Sequence, residues 1–302
     1  MLLKVLGSAA GGGFPQWNCN CSNCQGLRVK TIAAVSRTQS SIAVSEDNKK
    51  WILINASPDI RKQLEDFHEA QQSNLLRDTG IQAIILTDSQ IDHVTGLLSL
   101  REAEKLVIYC TELVQEELTH HFPLFKILKN YCVIDFNRIN VSHAFTIQGF
   151  KNLVLTPIDL PGKSPPYSPY RHNLKQGANT ALIILDQLTQ KTFFYAPAIA
   201  QFDERLFQSM NNADCVLIDG TFWHEDEMSR CGINNKLATE MGHCALASEE
   251  GLLSKLNALQ KPRKIVIHVN NTNPILNTTS PEHAQLNNAN IEIAYDGMNI
   301  LL

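Results

Sequence analysis

Short apolar runs rich in β-branched residues recur along the whole chain and alternate with stretches of helical spacing. The runs that we predict as strands are residues 2–6, 41–44, 51–54, 81–87, 106–109, 153–156, 181–185, 193–195, 216–218, 264–269 and 291–294. Residues 111–121 and 248–259 have the apolar spacing of helices. Ser57-Pro58 and Ser280-Pro281 each combine an N-cap hydroxyl with a proline at the first helical position. Because strands and helices alternate, the pattern predicts an α/β fold in which helices cover packed sheets.

Composition narrows the class of protein. The chain has 302 residues, of which 44% are hydrophobic and 19% are charged, with a net charge of −4. No linker or repeat divides it, so we predict a single domain over residues 1–302. No basic stripe indicates a nucleic-acid partner, and no apolar run approaches the roughly 20 residues that cross a membrane. The cysteines outside the first cluster are dispersed among apolar runs, which is typical of reduced thiols in a cytoplasmic protein.

Three of the eight cysteines, Cys19, Cys21 and Cys24, form the pattern C-x-C-x-x-C near the start of the chain. Thiolates at this spacing can all reach one ion, so we predict a structural zinc site over residues 19–24. Chance clustering of structural cysteines is the alternative, and a fourth ligand must come from elsewhere. The preceding glycine loop, residues 7–13, lacks the G-K-[ST] ending of a phosphate loop. Its glycines instead indicate a backbone with positive φ or a close approach to a ligand.

A second group of possible ligands follows three of the predicted strands. Asp88, Asp92 and His93 come after residues 81–87, Asp219 follows residues 216–218, and His268 lies within residues 264–269. Side chains at the carboxyl ends of strands in α/β proteins can converge on one site. Taken singly, Asp219 could be a helix cap and His268 an ordinary buried polar residue. The adjacent Asp92-His93 pair favours a site.

These stretches carry a resemblance to a known family. T-x-x-x-x-D-H-x-x-G-L at residues 87–97 resembles the metal-binding motif of the metallo-β-lactamase fold, T-H-x-H-x-D-H. The chain more specifically resembles the pyrroloquinoline quinone (PQQ) biosynthesis protein B family. The matching stretches, in order, are GSAAGGGFPQWNCNCSNC, RTQSSIAVS, NASPDIRKQL, TDSQIDHVTGLLSLRE, SPPYSPYR, FFYAP, DGTFWHEDEM, MGHCALASEEG, IHVNNTNPIL and YDGMNI. The resemblance implies an αββα sandwich, with two packed mixed sheets covered by helices.

The chain departs from the fold's usual ligand set. Asp88 and Gln90 stand where the motif has its leading histidines, and residues 155–161 contain no histidine. Ala196 replaces the bridging aspartate. A two-metal hydrolytic mechanism is therefore doubtful. Two histidines and a carboxylate are kept, namely Asp92, His93 and His268, and this is the ligand composition of non-haem iron(II) sites.

The resemblance implies a function for this reduced ligand set. It suggests Fe2+ bound by Asp92, His93 and His268, and oxygen-dependent hydroxylation of the tyrosine-derived ring of the cross-linked Glu-Tyr precursor of PQQ. Asp219 is then an additional ligand or proton carrier, as is Asp88. His243 matches a histidine that related phosphodiesterases place at their active site, so it is an acid/base candidate or a support for the ligands. A carrier that binds PQQ or its precursor without chemistry is the first alternative, and a metal-dependent hydrolase is the second.

Three further questions remain open from the sequence. The fourth zinc ligand could come from Asn271, at the position where related phosphodiesterases have a histidine, or from His268. The proline-rich segment, residues 161–177, is either a lid or a plain surface excursion. An anionic substrate needs positive partners, and the candidates are Arg37, Arg61, Arg171 and Lys175. The oligomeric state is not encoded in any motif, so a homo-oligomer is compatible with the sequence.

Overall fold

The structure, a computed structural model, describes residues 1–71, 76–248 and 251–302. Its strands are β1 (Leu2–Gly7), β2 (Ser41–Ser45), β3 (Trp51–Ile54), β4 (Ile81–Ile85), β5 (Lys105–Cys110), β6 (Val133–Arg138), β7 (Phe145–Thr146), β8 (Leu153–Asp159), β9 (Thr180–Asp186), β10 (Lys191–Ala196), β11 (Cys215–Asp219), β12 (Arg263–Ile267), β13 (Ile291–Ile293) and β14 (Asn299–Leu301). Its α-helices are α1 (Ser22–Arg28), α2 (Ile60–Glu65), α3 (Ile91–Val94), α4 (Glu112–Glu116), α5 (Leu124–Leu128), α6 (Glu204–Asn212), α7 (Glu227–Arg230), α8 (Leu252–Ala258) and α9 (Pro281–Asn288). Short 3-10 helices lie at His68–Gln71, Thr95–Leu100, Thr239–Met241 and Pro274–Leu276, and Glu117–His121 is a π-helical turn.

The described chain divides into two compact units. The first unit comprises Met1–Gly7, Ser40–Thr192 and Gly297–Leu302. The second comprises Ser8–Gln39 and Phe193–Asp296. A single domain over residues 1–302 stays a prediction.

The first unit contains a seven-stranded mixed sheet with the order β14-β1-β2-β3-β4-β5-β6. Its pairs are antiparallel from β14 to β3 and parallel from β3 to β6. Every residue of β2 and β3 is buried, which explains why both segments are continuous apolar or small-residue runs rather than alternating patterns. β7, β8 and β9 form a separate antiparallel group in the same unit.

Helices pack against this sheet and fix the position of the segment that follows β4. Trp51 of β3 contacts Phe67 edge-on, with ring centroids 4.7 Å apart. Val114 of α4 and Leu118 of the π-helical turn belong to the same buried cluster. Burying a large apolar side chain contributes about 1.5–3 kcal/mol, so this core holds the end of β4 rigidly in place.

The second unit contains a parallel sheet whose strands lie side by side in the order β10-β11-β12-β13. Asp219, the last residue of β11, pairs with Ile267, the last residue of β12. Parallel strands end at one edge of a sheet, so Asp219 and His268 emerge side by side. The sequence analysis expected this convergence because both residues lie at the carboxyl ends of predicted strands, and within this unit the structure confirms it.

Most strand predictions are confirmed, with small differences at the ends. The helix start predicted at Ser57-Pro58 is wrong, because α2 begins at Ile60. The Ser57 hydroxyl accepts from the Asp59 amide, and the Ile60 amide donates to the Ser57 carbonyl at 3.0 Å, so these residues form a turn. Ser280 does cap α9, accepting from the His283 amide at 3.1 Å.

Two further expectations concern helices. The predicted helix at residues 111–121 is confirmed as α4 followed by the π-helical turn, with Thr111 capping at the Val114 amide. The predicted helix at residues 248–259 corresponds to α8, and residues 249 and 250 of that stretch lie outside the described residues. Among the helices of the described residues, none is long and apolar enough to cross a membrane.

Candidate metal sites

The three clustered cysteines lie together in the second unit. Cys19 and Cys21 precede α1 and Cys24 lies within it, and their sulfur atoms are all within 4.8 Å of one another. Arg28, in the last turn of α1, donates to the carbonyl oxygens of Gln16 and Cys19 and so closes the loop onto the helix. The donor set is three thiols at one point, which fits a zinc ion.

The side chain of Asn271 lies against all three sulfurs. Its Nδ2 atom is 3.1 Å from the sulfur of Cys19, 3.6 Å from that of Cys21 and 3.3 Å from that of Cys24. A primary amide has only two N–H groups, so it cannot donate to all three sulfurs at once. Of the two residues considered for the fourth ligand, Asn271 is therefore the one next to the cysteines.

The protonation of the cysteines also depends on this crowding. Burial, the hydrogen bond with Cys19 and the charges of the neighbouring thiols raise the pKa of Cys21 to about 12. Three thiolates this close repel one another, so a bound cation is needed for all of them to be deprotonated together. All eight cysteines of the chain are free thiols in the structure, and the sequence analysis expected reduced thiols for the five outside the cluster.

In the first unit, Asp88 supports His93 just beyond β4. Both residues are buried, and the His93 Nδ1 atom lies 2.9 and 2.8 Å from the two carboxylate oxygens of Asp88. The Gln90 amide donates to Asp88 at 2.9 Å and the Thr87 hydroxyl donates to it at 2.8 Å. Burial opposes protonation of His93, but the charges of Asp88 and Asp92 and the hydrogen bond to Asp88 raise its pKa to about 9.

This arrangement decides which ring atom of His93 can bind an ion. A histidine that binds a metal usually donates from its other ring nitrogen to a carboxylate, which fixes the ring orientation. Asp88 takes that role here, so Nε2 is the candidate ligand atom. Asp88, which replaces a metal-binding histidine of the motif, is thus placed as a support for His93 in the described structure.

In the second unit, Asp219, His243 and His268 form a cluster around Thr221. The Asp219 carboxylate is 2.8 Å from His243 Nδ1, and the Thr221 hydroxyl is 3.1 Å from His243 Nδ1 and 2.9 Å from His268 Nδ1. The two imidazole rings stack with centroids 5.3 Å apart. Candidate ligand atoms of Asp219, His243 and His268 all lie within 4.8 Å of one another.

Burial and charge shape this cluster. Burial alone would raise the pKa of Asp219, but the charge of His243 and its hydrogen bond hold the pKa below its usual value.

His268 has a φ of 61°, a left-handed conformation that costs a non-glycine residue about 1–3 kcal/mol. The Thr221 hydroxyl also donates to the His268 carbonyl at 2.9 Å and helps to keep this conformation. The sequence analysis missed Thr221, although its place directly after Asp219-Gly220 was a usable signal.

The predicted iron ligands come from both units. Asp92 is half-buried on α3, next to buried His93, in the first unit, and His268 belongs to the second unit. The ligand set Asp92, His93 and His268 therefore stays a prediction.

Each of the four basic residues considered for anion binding has an intramolecular contact: Arg37 with Ser8, Arg61 with Glu65, Arg171 with the Ser164 carbonyl, and Lys175 with the Tyr170 ring.

The chain belongs to the metallo-β-lactamase superfamily. The beta-lactamase superfamily domain matches residues 50–269. The expected class of two mixed sheets flanked by helices is confirmed by this match and by the solved structures below. Coenzyme PQQ synthesis protein B from Acinetobacter baumannii (strain AYE) is 52% identical over 303 residues, and the match covers all of both chains. The chain belongs to the coenzyme PQQ synthesis protein B family.

Other relatives agree with this assignment. Coenzyme PQQ synthesis protein B from Nitrosococcus oceani is 52% identical over 309 residues, again with both chains fully covered. The crystal structure of Zn2+-bound PqqB from Methylobacterium extorquens is 33% identical, covers both chains completely and superimposes with a TM-score of 0.92. A diphosphatase of the PhnP family is 18% identical with a TM-score of 0.66 over 99% of this chain and 96% of its own, and it shares the fold.

Proposed function

We propose that this chain acts in PQQ biosynthesis as an iron(II)-dependent hydroxylase of the cross-linked Glu-Tyr precursor. The family to which the chain belongs supports the pathway. The chemistry is supported mainly by one observation, the engagement of Nδ1 in both candidate metal-binding histidines. Asp88 contacts Nδ1 of His93, and Thr221 contacts Nδ1 of His268, which leaves Nε2 of each ring for an ion.

The proposed iron ligands are Asp92, His93 and His268. Two imidazoles and one carboxylate fit iron(II), because this donor set leaves coordination positions open. Bound there, the ion would supply the positions at which dioxygen and the substrate ring meet. Asp88 orients His93, and Asp219 orients His243 so that its ring can accept or return a proton at the substrate.

A separate zinc ion is proposed at Cys19, Cys21 and Cys24. The Methylobacterium extorquens relative is zinc-bound, which supports zinc in the family, and the three thiols fit that metal. We propose that the side chain of Asn271 completes the set, since its amide is next to all three sulfurs. Zinc held by these residues would tie α1 to the segment after β12 and so support the position of His268.

The hydroxylation balances as a two-electron oxidation. A ring C–H bond is replaced by C–OH, one atom of dioxygen enters the product, and the other leaves as water. Two electrons come from a reductant such as ascorbate, and two protons come from solvent. We assign the transfer of these protons to His243, which is 12% exposed and hydrogen-bonded to fully buried Asp219.

Reconstitution tests this function. Protein prepared without oxygen is loaded with iron(II), mixed with precursor and ascorbate, and then exposed to dioxygen before mass spectrometry. The proposal predicts a product heavier by one oxygen atom, absent with His93→Ala. Precursor that stays bound and unchanged would favour the carrier, and a cleaved product formed without oxygen would favour the hydrolase.

A further inference from the structure

A buried glutamate connects two functional segments of the first unit. Glu117 is the first residue of the π-helical turn and its side chain is fully buried. Its Oε2 atom accepts from the Ser89 hydroxyl, and its Oε1 atom accepts from the Ser168 hydroxyl at 2.5 Å. Ser89 is the neighbour of Asp88, and Ser168 belongs to the proline-rich segment, residues 161–177.

Several other contacts join the same parts of the first unit. The Tyr167 hydroxyl donates to the Ser89 carbonyl at 2.5 Å, and the Tyr167 ring packs on Phe122, 5.5 Å between centroids. The Tyr170 hydroxyl donates to Glu116 at 2.7 Å. At the end of the segment, the Thr111 hydroxyl donates to the Gly177 carbonyl at 2.6 Å. The proline-rich segment is therefore in contact with the rest of the first unit at several points along its length.

The chemistry of Glu117 explains why these contacts matter. A carboxylate buried among apolar side chains is costly unless its oxygens accept hydrogen bonds, and hydrogen bonds to a charged group are about twice as strong as neutral ones. Each serine hydroxyl satisfies one oxygen of Glu117, so losing either serine leaves a buried charge poorly solvated. The position of Ser89 and the position of Ser168 are therefore energetically coupled through one side chain.

We propose that Glu117 is a positioning residue that couples the proline-rich segment to the segment carrying Asp88 and His93. The proline-rich segment then acts as a fixed wall rather than a lid, and Glu117 transmits its position to the histidine that binds the ion. The role of Glu117 in positioning His93 for an ion rests on the proposed function, whereas the coupling of the two segments does not. π-helical turns occur often at functional sites, and buried Glu117 begins one here.

Amide hydrogen exchange tests the coupling in the full-length protein. Ser168→Ala removes one hydrogen bond to Glu117 without touching the residues around Asp88. We expect exchange at the Gln90 and His93 amides to accelerate about tenfold, the effect of losing one hydrogen bond to a charged group. Ser164→Ala is the matched control, because Ser164 is a buried serine of the same segment whose hydroxyl has no partner among the described residues.

Two further variants sharpen the test. Ser89→Ala and Ser168→Ala combined should be non-additive in their exchange effects, since both act on one carboxylate. Glu117→Gln keeps one of the two acceptor oxygens and Glu117→Ala keeps neither, so exchange should accelerate more in Glu117→Ala than in Glu117→Gln. Exchange at Gln90 and His93 unchanged by Ser168→Ala, or equally changed by Ser164→Ala, would overturn the coupling.

A spectroscopic measurement separates this inference from the proposed function. Cobalt(II) is added to protein whose cysteine cluster already contains zinc, and its visible absorption reports the geometry at His93. We expect Ser168→Ala to shift the spectrum and Ser164→Ala to leave it unchanged. A wild-type protein without a cobalt spectrum would refute the proposed metal site, whereas a normal spectrum in both variants would refute only the positioning role of Glu117.

Discussion

Replacement of Thr221 by valine tests how the second unit supports His268. Thr221 is 2% exposed, and its hydroxyl contacts the ring nitrogens of His243 and His268 and the His268 carbonyl. Valine has nearly the same shape but no hydroxyl, so the change removes these hydrogen bonds with little change in packing. Thr221→Ser keeps the hydroxyl and loses only a methyl group, which makes it the matched control.

Two effects of Thr221→Val can be estimated. The His268 carbonyl loses the hydroxyl that donates to it, and leaving a buried polar group unsatisfied costs about 1–3 kcal/mol. His268 also has a φ of 61°, and part of that strain is balanced by the same contact. We therefore expect the free energy of unfolding to fall by about 2 kcal/mol. Metal affinity at the site should weaken by about 10–100-fold, the usual effect of losing a residue that orients a ligand.

The assay combines denaturant unfolding of the metal-free protein with a metal-binding titration. Thr221→Ser should remain close to wild type in both measurements. Equal metal affinity in wild type, Thr221→Val and Thr221→Ser would refute the argument that the Thr221 hydroxyl orients His268. A loss of stability without a loss of metal affinity would mean that Thr221 supports the fold but not the site.

The remaining predictions address the two proposed metal sites and one buried acid. Cys24→Ala should lose one zinc per chain by elemental analysis and lower the melting temperature, while the buried thiol variant Cys110→Ala keeps its zinc; equal zinc contents would contradict the cysteine site. Asp88→Asn should weaken metal binding about 10–100-fold in a cobalt titration, because the carboxylate that orients His93 is gone; an unchanged titration would exclude that role. Burial raises the pKa of Glu227 to about 7, so the folded state favours the protonated acid, and the free energy of unfolding should fall between about pH 5 and 7 by up to about 3 kcal/mol. Denaturant unfolding across this range should show a smaller decline in the free energy of unfolding for Glu227→Gln. A decline identical to that of the wild type would refute the attribution of this pH dependence to Glu227.

The sequence predicts the strands well where they are buried on both faces. β3 and β11 are continuous apolar runs, and their predicted positions match the structure closely. β6 was missed because its residues are only half-buried or exposed and include Asp135 and Asn137, so no apolar run marks it. β14 has only three residues and depends on pairing with β1, the other end of the chain.

The contacts in the candidate sites also differ in how well the sequence predicts them. Cys19, Cys21 and Cys24 are close in sequence, so local spacing is enough to predict their cluster. The placement of Asn271 beside them, and of Thr221 between two histidines, depends on how β11 and β12 end together in the second unit. Glu117 was not predicted because an acidic residue in an amphipathic helix normally faces solvent. Its burial follows from partners that lie 28 and 51 residues away in sequence.

The most direct test of the central proposal is the source of the oxygen atom in the product. The iron(II)-loaded protein is given precursor and ascorbate under dioxygen labelled with heavy oxygen, in unlabelled water, and the product is analysed by mass spectrometry. The proposed hydroxylase predicts that one labelled atom enters the tyrosine-derived ring and that His93→Ala yields no such product. Unlabelled product formed with oxygen from water, or precursor recovered unchanged, would contradict it.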